Sequence, residues 1–370
     1  MSEWPYGVDG AILLHSFNEE VLPYMSRVRL ALVGCGGMSK SHLRRFHAQA
    51  DRLEVVAAVD IEADKAQIVA DAMAQHGVVV RVATDHRDII NDVDAALLVL
   101  PHHLHHPVAM DFLRSGKHVL VEKPMAISEA EGIELIAAAN TSDVVLMVAY
   151  CMRFHPLVTG MKQLIDDGTC GDIFQVSIWT EQLTQYHEGH WGLKKATLGG
   201  GQLFSHGCHY IDILLWYLGR PIRGTHLGTN RGTPWMEREG TSNVSLEFEG
   251  GRLGYHFGTW GARGTSLGYA FHAHGTDGMI EADIKTGDLR IRRGEQVELV
   301  SQHETGKHTE AEMAHFVDCI QTGARPLTDG PGSLQGLRLI WRLYEAEEQG
   351  GIADLRGLGL DQVADTGILI

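Results

Sequence analysis

From Val28 to Tyr150 the chain alternates short continuous apolar runs with amphipathic ones. VRLALVG (28–34), LEVVAAVD (53–60), VVVRVAT (78–84), DAALLVLP (94–101), KHVLVEKP (117–124) and VVLMVAY (144–150) read as strands buried on both faces. SKSHLRRFHAQA (39–50), EADKAQIVADAMAQHG (62–77), HPVAMDFLRSG (106–116) and SEAEGIELIAAAN (128–140) read as helices between them. Alternation of this kind predicts a doubly wound parallel sheet over residues 27–150.

After Tyr150 the pattern changes. A helix is expected over 156–167, a period-2 strand at DIFQVSIWTEQ (172–182) and a helical block from Gly200 to Leu218. SNVSLEFE, RLGYHFGTW, GYAFHAHG, GMIEADI, DLRIRR and QVELVS then alternate with glycine turns, as strands of a mostly antiparallel sheet do. Helices over 310–322 and 333–348 close a second α/β domain spanning 151–370, with a partly ordered tail from Gly351.

Composition narrows the partners. The 370 residues are 44% hydrophobic and 21% charged, the texture of a globular protein. A formal charge of −16 speaks against nucleic acid or an anionic membrane surface, and no apolar run is long enough to span a bilayer. Five scattered cysteines without a CxxC pair argue against disulfides or a zinc cluster and for a reducing compartment such as the cytoplasm. Residues 1–26 lack Lys and Arg, unlike a signal peptide, and read as a peripheral extension.

VGCGGMSKSHL (33–43) places a glycine-rich turn between the first strand and helix. Gly34 permits the tight turn and Gly36 lets backbone approach a pyrophosphate. Gly37 and Met38 complete the turn, and Pro101 at the end of the fourth strand is assigned to the same cofactor site. Ser39 stands where a third glycine is usual, and its hydroxyl is expected to cap the helix or touch a phosphate. Asp60, ending the second strand, suits the ribose hydroxyls and repels a 2′-phosphate, which favours NAD over NADP.

Two stretches carry candidate chemistry. Glu122, Lys123 and Pro124 fall at the carboxyl end of the fifth strand, where open α/β sheets bind ligands, and a lysine there suits proton transfer. Pro124 is a candidate cis proline. In GGGQLFSHGCHYIDILLWYLG (199–219), Gln202, Ser205, His206, His209 and Asp212 share one face if the stretch is a regular helix. No carboxylate–histidine spacing dictates a metal.

The ordered set ALVGCGGMSKSHL, VVAAVD, LLVLPHHLHHPVAM, GKHVLVEKPMA, VAYCMRFHP, GGGQLFSHGCHYIDIL and HFVDCIQTGARPLTDGPGSLQGLRLI resembles the Gfo/Idh/MocA family of NAD(P)-dependent oxidoreductases over residues 27–350. The resemblance implies a Rossmann domain joined to an α/β domain with a large open-faced sheet, with Lys123 as the active-site lysine and His209 as the acid/base. It places Tyr150 and Arg153 at the sugar site, His105 in the cofactor loop after strand four and Trp191 in the cleft. Ser205 falls where the family commonly has aspartate, and Gly192 where an arginine often follows the tryptophan. The resemblance also implies a homodimer or homotetramer built on the second sheet.

The expected activity is NAD-dependent hydride transfer to or from a secondary alcohol of a sugar, sugar acid, glycoside or cyclitol, a small carbohydrate that can be anionic. The alternative is an NAD-dependent glycoside hydrolase that oxidises, eliminates, hydrates and re-reduces. A non-catalytic NAD sensor is a lesser alternative, disfavoured by the presence of both Lys123 and His209.

Overall fold

The computed structural model describes residues 26–306 and 310–359. The extension over residues 1–25 and the end of the tail lie outside the described residues.

The first half is the expected α/β unit. It runs β1 (Val28–Val33), α1 (Ser39–His47), β2 (Leu53–Val59), α2 (Ala63–Ala74), β3 (Arg81–Ala83), β4 (Ala95–Leu98), α3 (His105–Arg114), β5 (His118–Val121), α4 (Glu129–Ser142) and β6 (Leu146–Val148). The strand order is 3-2-1-4-5-6, all parallel, with β1 and β4 adjacent at the centre. That adjacency is the switch point where such sheets bind dinucleotides. Leu30, Ala31 and Leu32 are fully buried, as the continuous apolar run requires. β3 is shorter than its apolar run predicts. At the sheet edge it pairs only with Ala57–Val59, and Val79 is left exposed.

The second half follows with α5 (Pro156–Asp166), β7 (Ile173–Glu181), α6 (Lys195–Leu198), α7 (Cys208–Leu218), β8 (Pro221–Thr229), β9 (Thr241–Phe248), β10 (Leu253–Thr259), β11 (Tyr269–Gly275), β12 (Gly278–Asp283), β13 (Asp288–Arg293), β14 (Gln296–Gln302), α8 (Glu310–Thr322), α9 (Gly330–Glu348) and β15 (Ala353–Asp354). The nine strands are ordered 14-13-12-11-7-10-9-8-15, antiparallel except for the β7–β10 pair. In β9 Ser242, Val244, Leu246 and Phe248 point to one buried side, the period-2 signature of a sheet covered on one face. α9 begins three residues earlier than expected, because Asp329 caps it by accepting from the Gly332 N–H and Pro331 sits in its first turn.

The two halves interlock. Met313, Phe316 and Val317 of α8 join the apolar cluster under β1 and α1. Thr328 accepts from the Val148 N–H through its carbonyl and donates to the Val148 carbonyl through its hydroxyl. This return of the chain ties the second half to the first sheet.

Candidate active site

At the glycine-rich turn Gly34 has φ +94°, and a Cβ there would stand 2.1 Å from the Val99 carbonyl oxygen. Only glycine fits. A Cβ on Gly36 or Gly37 would meet nothing within 4 Å, so the turn leaves open space for a pyrophosphate. Met38 is half-exposed, and no side chain caps the start of α1, where the Ser39 and Ser41 N–H groups donate to the Gly36 and Met38 carbonyls. The Ser39 hydroxyl does not cap the helix. It is buried and donates to the Gly36 carbonyl at 2.6 Å, closing the turn from inside. The Asp60 carboxylate accepts from the Cys35 N–H at 2.8 Å and the Glu62 N–H at 3.0 Å, which aims it at the turn. These residues fit a dinucleotide.

Below the turn, Glu122, assigned with Lys123 to the cofactor site from the sequence, has a protein partner of its own. It is buried and pairs with His42 of α1, Oε1 to Nε2 at 2.9 Å, while Arg45 approaches His42 Nδ1 at 3.3 Å. Arg45 is in turn paired with the fully buried Glu312 of α8. Burial pushes the His42 imidazole toward its neutral form. A neutral ring accepts from Arg45 at Nδ1 and donates to Glu122 at Nε2, so the chain of contacts has one direction. Burial opposes a charge on Glu122, yet His42, Lys123 and Arg45 together bring it down to about 2.

The Lys123–Pro124 peptide is cis, as anticipated. His105 is fully buried with its two ring nitrogens against the Pro124 carbonyl at 2.8 Å and the Leu100 carbonyl at 2.9 Å. It braces the β4 and β5 loops together and does not face the cleft. Pro101 lies partly exposed at the β4 end, beside His102, whose Nδ1 meets the Leu198 carbonyl at 2.8 Å. Burial lowers the affinity of His102 for a proton well below normal, so this ring also stays neutral.

The helical block is not one regular helix. Leu203–Gly207 is a π-turn leading into α7. Glu239, buried, accepts from the Leu203 N–H at 3.3 Å and from Tyr344 at 2.6 Å, and the Gln202 N–H donates to the Glu239 carbonyl at 2.8 Å. This buttress holds the wide turn, a geometry often found at functional sites. It splits the expected polar face. Lys123 Nζ donates to the Ser205 carbonyl at 3.2 Å, which seats the lysine one turn before His209. The His206 ring lies 6.1 Å from that of His209, edge to face, and Tyr150 packs edge-on to His209 at 5.7 Å. Gln202 turns toward His206, and Asp212 turns away toward Arg153.

Arg153 is the main departure from expectation. Its guanidinium forms a bidentate pair with Asp212 at 2.7 and 2.9 Å, with both side chains 3% exposed, and stacks over Trp216. It is a buried strut under α7, not a lining residue. Trp191 lies partly exposed between His102 and His190, where a cleft residue should be.

The structure adds groups that sequence reasoning missed. Tyr269 on β11 donates to Gln182 and lies 3.4 Å from His206 Nε2. Burial raises its phenol to about 12, so it remains a donor. His42 went unnoticed in the sequence, since its partner Glu122 lies 80 residues away. Among the described residues no cluster of His, Cys, Asp or Glu could hold a metal, and no helix is long and apolar enough to cross a membrane.

The fold and site define a two-domain oxidoreductase with a dinucleotide cleft. Residues 28–150 match the model of the oxidoreductase family with an NAD-binding Rossmann fold, and residues 158–281 match the GFO/IDH/MocA C-terminal domain. The chain belongs to this family. It is 31% identical over 198 residues to a putative UDP-kanosamine synthase oxidoreductase subunit of Amycolatopsis mediterranei, a match spanning 52% of each chain. It is 26% identical over 297 residues to levoglucosan dehydrogenase of Pseudarthrobacter phenanthrenivorans, 71% of this chain and 75% of that one. The crystal structure of aldose-aldose oxidoreductase from Caulobacter crescentus shares the fold, with a TM-score of 0.79 and 24% identity over 89% of this chain and all of the other.

Proposed function

We propose that the chain is an NAD-dependent oxidoreductase acting on a secondary alcohol of a sugar, sugar acid, glycoside or cyclitol. The observation that carries this reading is the contact of Lys123 Nζ with the Ser205 carbonyl, which brings the lysine to the turn before His209. When bound, the nicotinamide exchanges a hydride with the carbinol carbon. Gly34, Gly36, Gly37 and Met38 hold the pyrophosphate, and Asp60 accepts from the ribose hydroxyls and repels a 2′-phosphate. Pro101 and Lys123 flank the nicotinamide end. Lys123 donates to the substrate oxygen, and His209 takes the hydroxyl proton on oxidation and returns it on reduction. Ser205 carries no charge, so His209 works without the adjacent carboxylate common in the family. The similarity to levoglucosan dehydrogenase supports a carbohydrate substrate. A cytoplasmic homodimer or homotetramer, assembled through the open face of the nine-stranded sheet, completes the reading.

One observation favours a second reading. His206 stands beside His209, two imidazoles where one is needed for simple dehydrogenation. Oxidation at C3 would acidify the C2 proton, and His206 could remove it as an aglycone leaves. Hydration and return of the hydride would then complete a glycosidase cycle. A panel of free sugars, sugar acids, cyclitols and aryl glycosides with NAD+, followed for both NADH and free aglycone, tests both. NADH growth with a free polyol supports the dehydrogenase. Aglycone release that needs catalytic NAD+ and leaves no NADH supports the glycosidase. Neither signal with any compound sinks both.

A further inference from the structure

An unbroken run of rings leads out from the reaction centre along the loop between β7 and α6. Tyr186 and His190 lie face to face, 4.2 Å apart with 2° between their planes. His190 stacks on Trp191 at 5.4 Å, and Trp191 meets His102 at 4.8 Å. On the other side Tyr186 stands edge-on to Trp260 at 6.1 Å, and Trp260 lies 6.4 Å from His206. The run therefore joins the loop after β4 to the His206–His209 pair.

Gly192 makes room for the stack. A Cβ there would meet Tyr186 Cε2 and His190 Nδ1, each at 3.0 Å. The Gly192 N–H donates to His190 Nδ1 at 3.0 Å and fixes that ring. Burial, and then His187, lower the affinity of His190 for a proton, so it stacks as a neutral ring. Tyr186, His190 and Trp191 stay partly exposed, whereas Trp260 is buried with its indole N–H lacking an acceptor among the described residues. His187 and Glu188 are exposed at the outer rim, polar groups in reach of hydroxyls.

We propose that this stack is a subsite for a second ring, joined to the reacting sugar through its glycosidic bond. The inference rests on the function proposed above and narrows its substrate to glycosides carrying an aryl or second sugar ring. The part-exposed outer rings, Tyr186 and Trp191, suit both, through stacking on an aryl ring or on the apolar C–H face of a pyranose, with His190 held between them. Tyr186, Trp191 and Trp235 pack on a small apolar cluster of Leu198, Met236 and Trp260, which holds the part-exposed rings in place from below.

The test is calorimetric binding to the NADH-loaded protein. The probes are methyl and phenyl glycosides of glucose, galactose and xylose in both anomers, with cellobiose, maltose and lactose. At least one ring-bearing glycoside should bind about tenfold or more tightly than its methyl counterpart. That ratio should fall to about twofold in Tyr186→Ala and in His190→Ala, with NADH affinity retained. Preference for the phenyl glycosides assigns the aryl source, and preference for the disaccharides assigns the sugar source. The proposal is overturned if no glycoside binds, if methyl and ring-bearing partners bind alike, or if both variants keep the ratio. NADH formation from a free monosaccharide together with equal methyl and phenyl affinities would overturn the subsite and leave the proposed function standing. Tight phenyl binding without any redox turnover would do the reverse.

Discussion

Lys123 Nζ and the Ser205 carbonyl meet at 3.2 Å, although 82 residues separate them. The contact fastens the strand end that carries Lys123 to the turn that presents His209. It uses the backbone of Ser205 and leaves the side chain free to vary in charge.

Ser205→Asp should therefore act on His209 more than on Lys123. A carboxylate one turn before an imidazole favours its charged form. The acid limb of the kcat/KM profile should move up by about one pH unit. An unmoved limb would show that position 205 does not address His209.

Asp60→Ala should relax the cofactor preference. The kcat/KM ratio for NAD over NADP should fall by about tenfold or more, since the repelling carboxylate is gone. Asp60→Asn keeps one acceptor oxygen, enough for either the Cys35 or the Glu62 N–H, and so tests the charge with less disturbance of the turn. An unchanged ratio in both variants would remove Asp60 from the ribose site.

Arg153→Met should destabilise the fold by about 3–5 kcal/mol, because it strands the buried Asp212 carboxylate. Arg153→Met combined with Asp212→Leu should recover much of that loss. Thermal unfolding of the two variants measures it. A single variant that keeps its Tm but loses substrate affinity would return Arg153 to the cleft.

Acid sensitivity should trace partly to Glu122. Its folded value near 2 lies below its ordinary 4.5, so the stability it contributes is present above pH 4.5 and is lost as pH falls toward 2. Chemical unfolding of wild type and Glu122→Gln across pH 7 to 3 should show their difference shrinking as acid is added. A constant difference would mean that the carboxylate charge is not what His42 and Arg45 stabilise.

The doubly wound half and the glycine-rich turn were legible because each depends on local patterns. Buried strands read as apolar runs, and Gly34 must be glycine where its Cβ would strike Val99. The open-faced sheet was legible from period-2 alternation, as in β9. What stayed hidden depends on partners remote in sequence. Nothing around Arg153 announces Asp212, and nothing around Glu122 announces His42. The π-turn at Leu203–Gly207 was invisible because its cause is Glu239 and Tyr344, far down the chain. Ser39 was misassigned because a hydroxyl that caps and one that closes a turn look alike in sequence.

The most direct test of the central claim is turnover of Lys123→Ala beside its NADH affinity, on the best substrate from the panel. NADH binding should stay within about threefold of wild type while kcat falls by about 10²–10⁴. Near-normal turnover with NADH still bound would contradict the assignment of Lys123 to proton transfer and, with it, the reaction proposed for this cleft.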